Sequence, residues 1–180
     1  MRRVVLLLTA MSVALVVASG VAIAAQFIGT NTGNVINGTP QDDELYGLGG
    51  SDTLRGQGGN DFIDGGKSSD RLAGNAGEDD IEGASGLDTI TGGDGGDDLI
   101  GGDQNDIMRG GPGSDDYFGG DGEDELIDLS GADELSGGDQ PDLLDARDGI
   151  GGDIVNGGFG FDTCRFDAGD TIISCEIQNP

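Results

Sequence analysis

The sequence predicts an all-β chain in which short strands stack as a solenoid, because three kinds of residue keep one nine-residue phase. Asp recurs at Asp43, Asp52, Asp61, Asp70, Asp79, Asp88, Asp97, Asp106, Asp115, Asp124, Asp133 and Asp142. Two residues after each stands a larger apolar side chain: Leu45, Leu54, Ile63, Leu72, Ile81, Ile90, Leu99, Met108, Tyr117, Leu126, Leu135 and Leu144. Five residues before each Asp is Gly, from Gly38 to Gly137, with Asp128 the only exception. A solvated acidic tract has no reason to place an apolar residue at every period, so the pattern argues for an ordered core and against disorder.

The unit explains the elements. Its first six residues are rich in Gly, which takes positive φ and lets the backbone curl into a turn. Its last three, as in Thr53-Leu54-Arg55 or Thr89-Ile90-Thr91, set one apolar residue between polar neighbours, the pattern of a short half-buried strand. Nine residues therefore give one turn and one strand, and eighteen give a full coil with a strand on each side. Stacked coils bring strands into parallel register about 4.8 Å apart. The apolar positions then form two inward ladders, one running Leu45, Ile63, Ile81, Leu99, Tyr117, Leu135 and the other Leu54, Leu72, Ile90, Met108, Leu126, Leu144. Asn34 and Ile36 look like an imperfect opening unit. Around Arg147 to Gly149 the register slips by two residues and resumes at Asp153 and Asp162. The expected organisation is a lead-in over 25–33, repeats over 34–165 and a closing segment over 166–180.

Such a core is one side chain thick, and the composition opposes it. Of 180 residues, 38 are Gly; 35 acidic face 8 basic side chains, for a net charge of −27. The backbone entropy of Gly and the repulsion between like charges both work against compaction, so a cation is expected as part of the folded state. With no Lys/Arg patch, nucleic acid and anionic membrane are poor partners.

Units such as Gly47-Leu-Gly-Gly-Ser-Asp-Thr-Leu-Arg55 and Gly56-Gln-Gly-Gly-Asn-Asp-Phe-Ile-Asp64 resemble G-G-x-G-x-D-x-U-x, the RTX or hemolysin-type calcium-binding nonapeptide. The resemblance implies a right-handed parallel β-roll with Ca²⁺ held between turns stacked two units apart. Carried onto this chain, the carboxylate ligands are the twelve Asp residues named above together with Asp153 and Asp162. Turn glycines such as Gly49, Gly50, Gly58 and Gly59 supply carbonyls, and the third-position acids Asp94, Asp103, Asp121 and Asp139 add oxygens. That oxygen set suits a hard cation taking six to eight ligands, and pairing of turns gives about ten ions at most. Turns where Lys67, Ser68, Arg71, Gln104 or Gln140 interrupt the pattern are expected to bind weakly or not at all.

The chain opens with Arg2 and Arg3, an apolar run from Val4 to Val17, and small residues at Ala22 and Ala24. This reads as a signal peptide over 1–24, cleaved after Ala24, although the stretch to Ala25 is also about long enough for a membrane anchor. Two arginines alone are a weak pointer to twin-arginine export. A secreted, extracellular protein follows from the cleaved reading, with no membrane partner after cleavage. In an exported chain Cys164 and Cys175 most simply form one disulfide, which would pin the end of the chain over the open end of the stack; two free thiols are the alternative. Gram-negative RTX exoproteins use an uncleaved C-terminal export signal, a feature the N-terminal segment here replaces.

Without His, the sequence lacks Ser-His-Asp, Cys-His and H-E-x-x-H chemistry, and its carboxylates are accounted for by the repeat. The expected function is calcium binding that drives folding, with no catalysis. The alternative is a calcium-stiffened adhesion or matrix protein with a surface partner.

Overall fold

The computed structural model describes residues 12–14, 24–128 and 130–179. The expected signal peptide therefore lies outside the described residues, apart from Ser12–Ala14, which pairs antiparallel with Gln26–Ile28, and Ala24. Among the described residues the fold is a parallel β-solenoid with no helix, and two sheets form its walls: one of ten strands and one of nine.

Successive strands alternate between the sheets, so each strand pairs with the one a full coil away. Leu45 lies beside Ile63, Ile81 beside Leu99 and Leu99 beside Tyr117 in one wall. In the other wall Leu54 lies beside Leu72, Ile90 beside Met108 and Met108 beside Leu126. Both predicted ladders are thus present in the predicted register. Most strands bury their ladder residue and leave its two neighbours at least partly exposed, as in Asp98–Asp103, where Leu99 is 1% exposed and Ile100 37%. Burial of one such side chain stabilises the stack by roughly 1.5–3 kcal/mol, repeated along each wall.

The stack is longer than the repeat pattern at both ends. Gln26–Ile28 joins the first wall beside Glu44–Tyr46, with Phe27 in the apolar position although no Gly/Asp turn precedes it. At the other end, Thr171–Ile173 pairs parallel with Ile154–Phe159, and Ile177–Asn179 with Thr163–Phe166. The closing segment adds one more coil to the end of the stack. A disulfide between Cys164, at the last ladder position, and Cys175 ties it down, with Cα atoms 6.0 Å apart.

The register slip is absorbed in one loop. Leu135 pairs with Val155 and Leu144 with Cys164, each twenty residues on, so the two extra residues lie outside the strands. Arg147 returns onto Asp145 at 2.8 Å, and Arg165 reaches the same carboxylate at 3.1 Å from the adjacent strand. The two guanidinium groups hold that carboxyl below its usual pKa.

Leu99 and Ile100 differ in face and little else, which makes them a test of where the core sits. In saturating calcium, Leu99→Ala is expected to cost about 2–5 kcal/mol in urea unfolding, and Ile100→Ala about 0.5 kcal/mol or less. Equal losses would mean that the two faces are not distinguished as described.

Candidate metal centres along the turn edges

Turns join the walls along two edges, and the repeat Asp residues stand one above another in each. Asp43, Asp61, Asp79, Asp97, Asp115, Asp133 and Asp153 occupy one edge; Asp52, Asp70, Asp88, Asp106, Asp124, Asp142 and Asp162 the other. All are at most 4% exposed. In every one Oδ1 accepts the backbone N–H of a residue in the preceding coil, as in Asp61 to Asp79 at 2.8 Å, Asp97 to Asp115 at 2.8 Å and Asp88 to Asp106 at 2.7 Å. The carboxylates thus run as two continuous bridges through the stack.

Oδ2 is different. From Asp52 to Asp162 it is buried at every repeat Asp without a hydrogen-bond partner. A buried acceptor left unpaired costs roughly 1–3 kcal/mol, and more for a charged group. What each Oδ2 meets is revealed by the Gly that opens its unit. A Cβ added at Gly83 would stand 2.7 Å from Asp88 Oδ2 and 2.6 Å from the Gly101 carbonyl oxygen; at Gly101 it would stand 2.5 Å from Asp106 Oδ2 and 2.6 Å from the Gly119 carbonyl. Carboxylate and carbonyl oxygens therefore converge at the same spot, coil after coil, with no donor for Oδ2. That donor set fits a hard divalent cation.

The first glycine of the unit is thus required for space, because any side chain would fill the oxygen cluster. Positive φ is needed elsewhere, at the second and fourth positions, as at Gly50 with φ 87°. Ser68, Gln104 and Gln140 take the fourth position with φ of 76°, 78° and 81°. The expected weak turns keep the same backbone path, at a conformational cost of roughly 1–2 kcal/mol each. Asp70, Asp106 and Asp142 retain their Oδ1 bonds there.

Of the other sequence-derived candidates, Gly49, Gly50, Gly58 and Gly59 lie in turns on the two edges as expected, Gly49 buried and the others half-buried. Asp103, Asp121 and Asp139 form one register column, with Asp94 on the opposite wall, and all four are exposed. They stand near the buried columns, close enough that Asp103, Asp121 and Asp94 raise the carboxyls of Asp106, Asp124 and Asp97.

Four features escaped the repeat pattern. The opening-glycine carbonyls were visible as a Gly position broken only at Asp128, but not as oxygens facing Oδ2. Thr39 donates its backbone N–H and, at 2.9 Å, its hydroxyl to Asp43 Oδ2, and the Thr30 backbone N–H reaches Asn34 Oδ1 at 2.7 Å, so the first turn of each edge is closed from within. At the far end Glu176 Oε2 accepts the Asp162 N–H at 2.9 Å and Asp170 that of Asp153 at 3.3 Å, both outside the nine-residue phase. Asp128, the one residue in place of an opening glycine, is 3% exposed.

Burial governs the protonation of the columns. It pushes the carboxyls of Asp61, Asp70, Asp106, Asp115 and Asp142 up to about 7 and those of Asp88, Asp97 and Asp153 to about 6. The donated backbone N–H opposes the rise in each, while column neighbours such as Asp43 and Asp79 around Asp61 add to it.

The family model of the RTX calcium-binding nonapeptide repeat (4 copies) matches the chain at residues 28–63, 55–90 and 91–126. No curated protein matches it.

Two measurements follow from this geometry. A carboxyl raised on folding holds its proton where the unfolded chain, near 4, has lost it, so metal-free stability falls as pH rises from about 4 to about 7. In chelator, thermal unfolding should come at a lower temperature near pH ~7.5 than near pH ~5, and saturating calcium should reverse that order because protons compete for the same oxygens. Gly101→Ala should cost about 1–3 kcal/mol in calcium, read by urea unfolding, through displacement of Asp106 and the Gly119 carbonyl.

Proposed function

The chain belongs to the RTX calcium-binding nonapeptide repeat family, and on that premise we propose that it is a secreted, non-catalytic protein whose repeat region folds as calcium binds. The observation that carries this reading is the unbroken run of buried Oδ2 atoms without a donor, from Asp52 to Asp162. An apolar core one side chain thick is a weak counterweight to so many buried carboxylates, so cation affinity for the ordered state becomes folding free energy.

The residues that would hold the ions are the repeat Asp side chains, through Oδ2, and the carbonyls of the turn glycines, including those that open each unit. Bound calcium supplies positive charge and oxygen coordination, and no reaction. Thr39 and Thr30 close the first turn of each edge, which supports an array beginning at the second turn. Pairing of turns sets a ceiling of about ten ions on this reading. The turns near Lys67, Gln104 and Gln140 are the weaker members on this reading, since each carries a strained residue in place of Gly.

Export is supported by Arg2, Arg3 and the apolar run to Val17, and by a disulfide suited to an oxidising compartment. The absence of catalysis is supported by the lack of His and by carboxylates already engaged in the columns. The second reading, an adhesion or matrix role, is favoured by one observation: Phe118, Phe159 and Phe161 are 51%, 81% and 61% exposed. Phe118 and Phe159 line one shallow concavity with Asp121 and Asp139.

The test is a calcium titration of the chain lacking residues 1–24, followed by far-UV circular dichroism, with magnesium as control. A coil-to-β transition with calcium and none with magnesium is expected; a spectrum unchanged at millimolar calcium would sink the reading. Adherence of the calcium-loaded form to cells or polysaccharide, lost in Phe159→Ser, would favour the second role.

A further inference from the structure

Two departures from the repeat, twenty residues apart in sequence, meet in space. The first is Asp128, which stands where every other unit from 38 to 137 opens with Gly. An opening glycine leaves room for the oxygens of its own turn and of the next coil; Asp128 instead puts a further carboxylate there, facing Asp133. The second is the two-residue insertion, which places Asp148 in the next turn of the same edge. Asp148 Oδ2 accepts the Gly131 N–H at 3.0 Å and its Oδ1 the Ile150 N–H at 2.6 Å. Asp153, the repeat Asp of that turn, is fully buried, with Oδ1 accepting the Asp133 N–H at 2.9 Å and Oδ2 unpaired.

Oxygens of Asp128, Asp148 and Asp153 lie within 4.8 Å of one another. Asp128 is 3% exposed; neither of its oxygens has a hydrogen-bond partner of good geometry, and the polar groups nearest it are the Ser130 backbone N–H and the Asp133 carboxyl. The charged side chains that bear on it, Asp133 and Asp148, are themselves acidic. The nearby arginine, Arg147, is turned onto Asp145. A carboxylate enclosed by carboxylates needs either a shared proton or a cation. Separations of this size suit oxygens around one ion at calcium–oxygen distances of about 2.3–2.6 Å.

We propose that Asp128, Asp148 and Asp153 form a site for one hard divalent cation, made from side-chain carboxylates and built where the repeat is broken. It differs from the array in drawing three carboxylates from two turns, where the other turns set one carboxylate beside backbone carbonyls. It also gives the insertion a role: the added loop brings Asp148 over the carboxylate that replaced the glycine, and an ion there ties the irregular turn to the stack. The site does not depend on ion binding elsewhere along the edges.

Calcium bound per chain is counted by equilibrium dialysis at saturating calcium for wild type, Asp128→Asn, Asp148→Asn and the exposed control Asp116→Asn. Asp148→Asn keeps an acceptor for the Gly131 N–H while removing the charge. One ion fewer in Asp128→Asn and in Asp148→Asn, with the control unchanged, is the expected result. Hydrogen exchange at the Gly131 and Ile150 amides should rise about tenfold or more in both variants with calcium present, since loss of the ion releases the loop. An unchanged count, with Asp128→Asn unfolding at higher temperature than wild type in chelator, would overturn the site in favour of a proton shared with Asp133. A wild type that binds only one ion, lost in these variants, would sustain this site and reject the array.

Discussion

A carboxylate that bridges two coils is the contact on which the rest of the molecule depends. Oδ1 of each repeat Asp takes the backbone N–H one coil back, so the aspartates set the spacing and register of the turns directly. With the turns fixed, the short strands of three to six residues between them are aligned, and their inward apolar residues meet in the ladders. Strands this short bury too little on their own to impose that alignment. The same side chain creates the chief electrostatic difficulty of the fold, since Oδ2 is left in a dry position beside carbonyl oxygens. Register and charge are therefore one problem, solved together by whatever neutralises that oxygen.

The parts of this arrangement that were legible in the sequence are those with a period. Leu99 and Ile81 were assignable to one wall, and Met108 and Ile90 to the other, because a nine-residue unit alternates sides. The Asp columns were legible for the same reason, and the disulfide because two cysteines in a chain read as exported leave few options. What stayed hidden depends on contacts between coils, which no single unit reveals. Opening glycines such as Gly83 and Gly101 read as conformational freedom, yet the structure requires them for room beside a carboxylate. Glu176 and Asp170 close the columns from outside the phase, so no spacing rule could select them. The third-position acids Asp94, Asp103, Asp121 and Asp139 read as added ligands in sequence; the structure places them on the exposed side of the turns, near the buried columns. Asp128 was visible only as a missing glycine, and its significance appears once the loop carrying Asp148 is seen in the next turn.

Departures from the repeat are tolerated unequally, and the reason is local. Ser68, Gln104 and Gln140 hold positive φ where Gly is the easier residue, because their side chains project outward and the bridging Asp keeps its bond. A side chain at the opening position projects into the oxygens instead, so a substitution there changes the chemistry of the turn. The outward wall is freer still: Arg147 and Arg165 converge on Asp145 without disturbing the pairing of Leu144 with Cys164. Backbone path, coordination and surface charge are thus carried by different positions of one short unit.

The closed ends of the two columns bear on how such a chain changes length. Each edge opens on its own threonine, Thr39 or Thr30, and finishes on its own acid, Asp170 or Glu176. Loss or duplication of eighteen residues removes or adds one rung to both columns and leaves all four closures in place. Loss or duplication of nine shifts every later Asp to the opposite edge, joining the start of one column to the finish of the other. The natural increment of growth is therefore the coil, twice the repeat that is visible in the sequence.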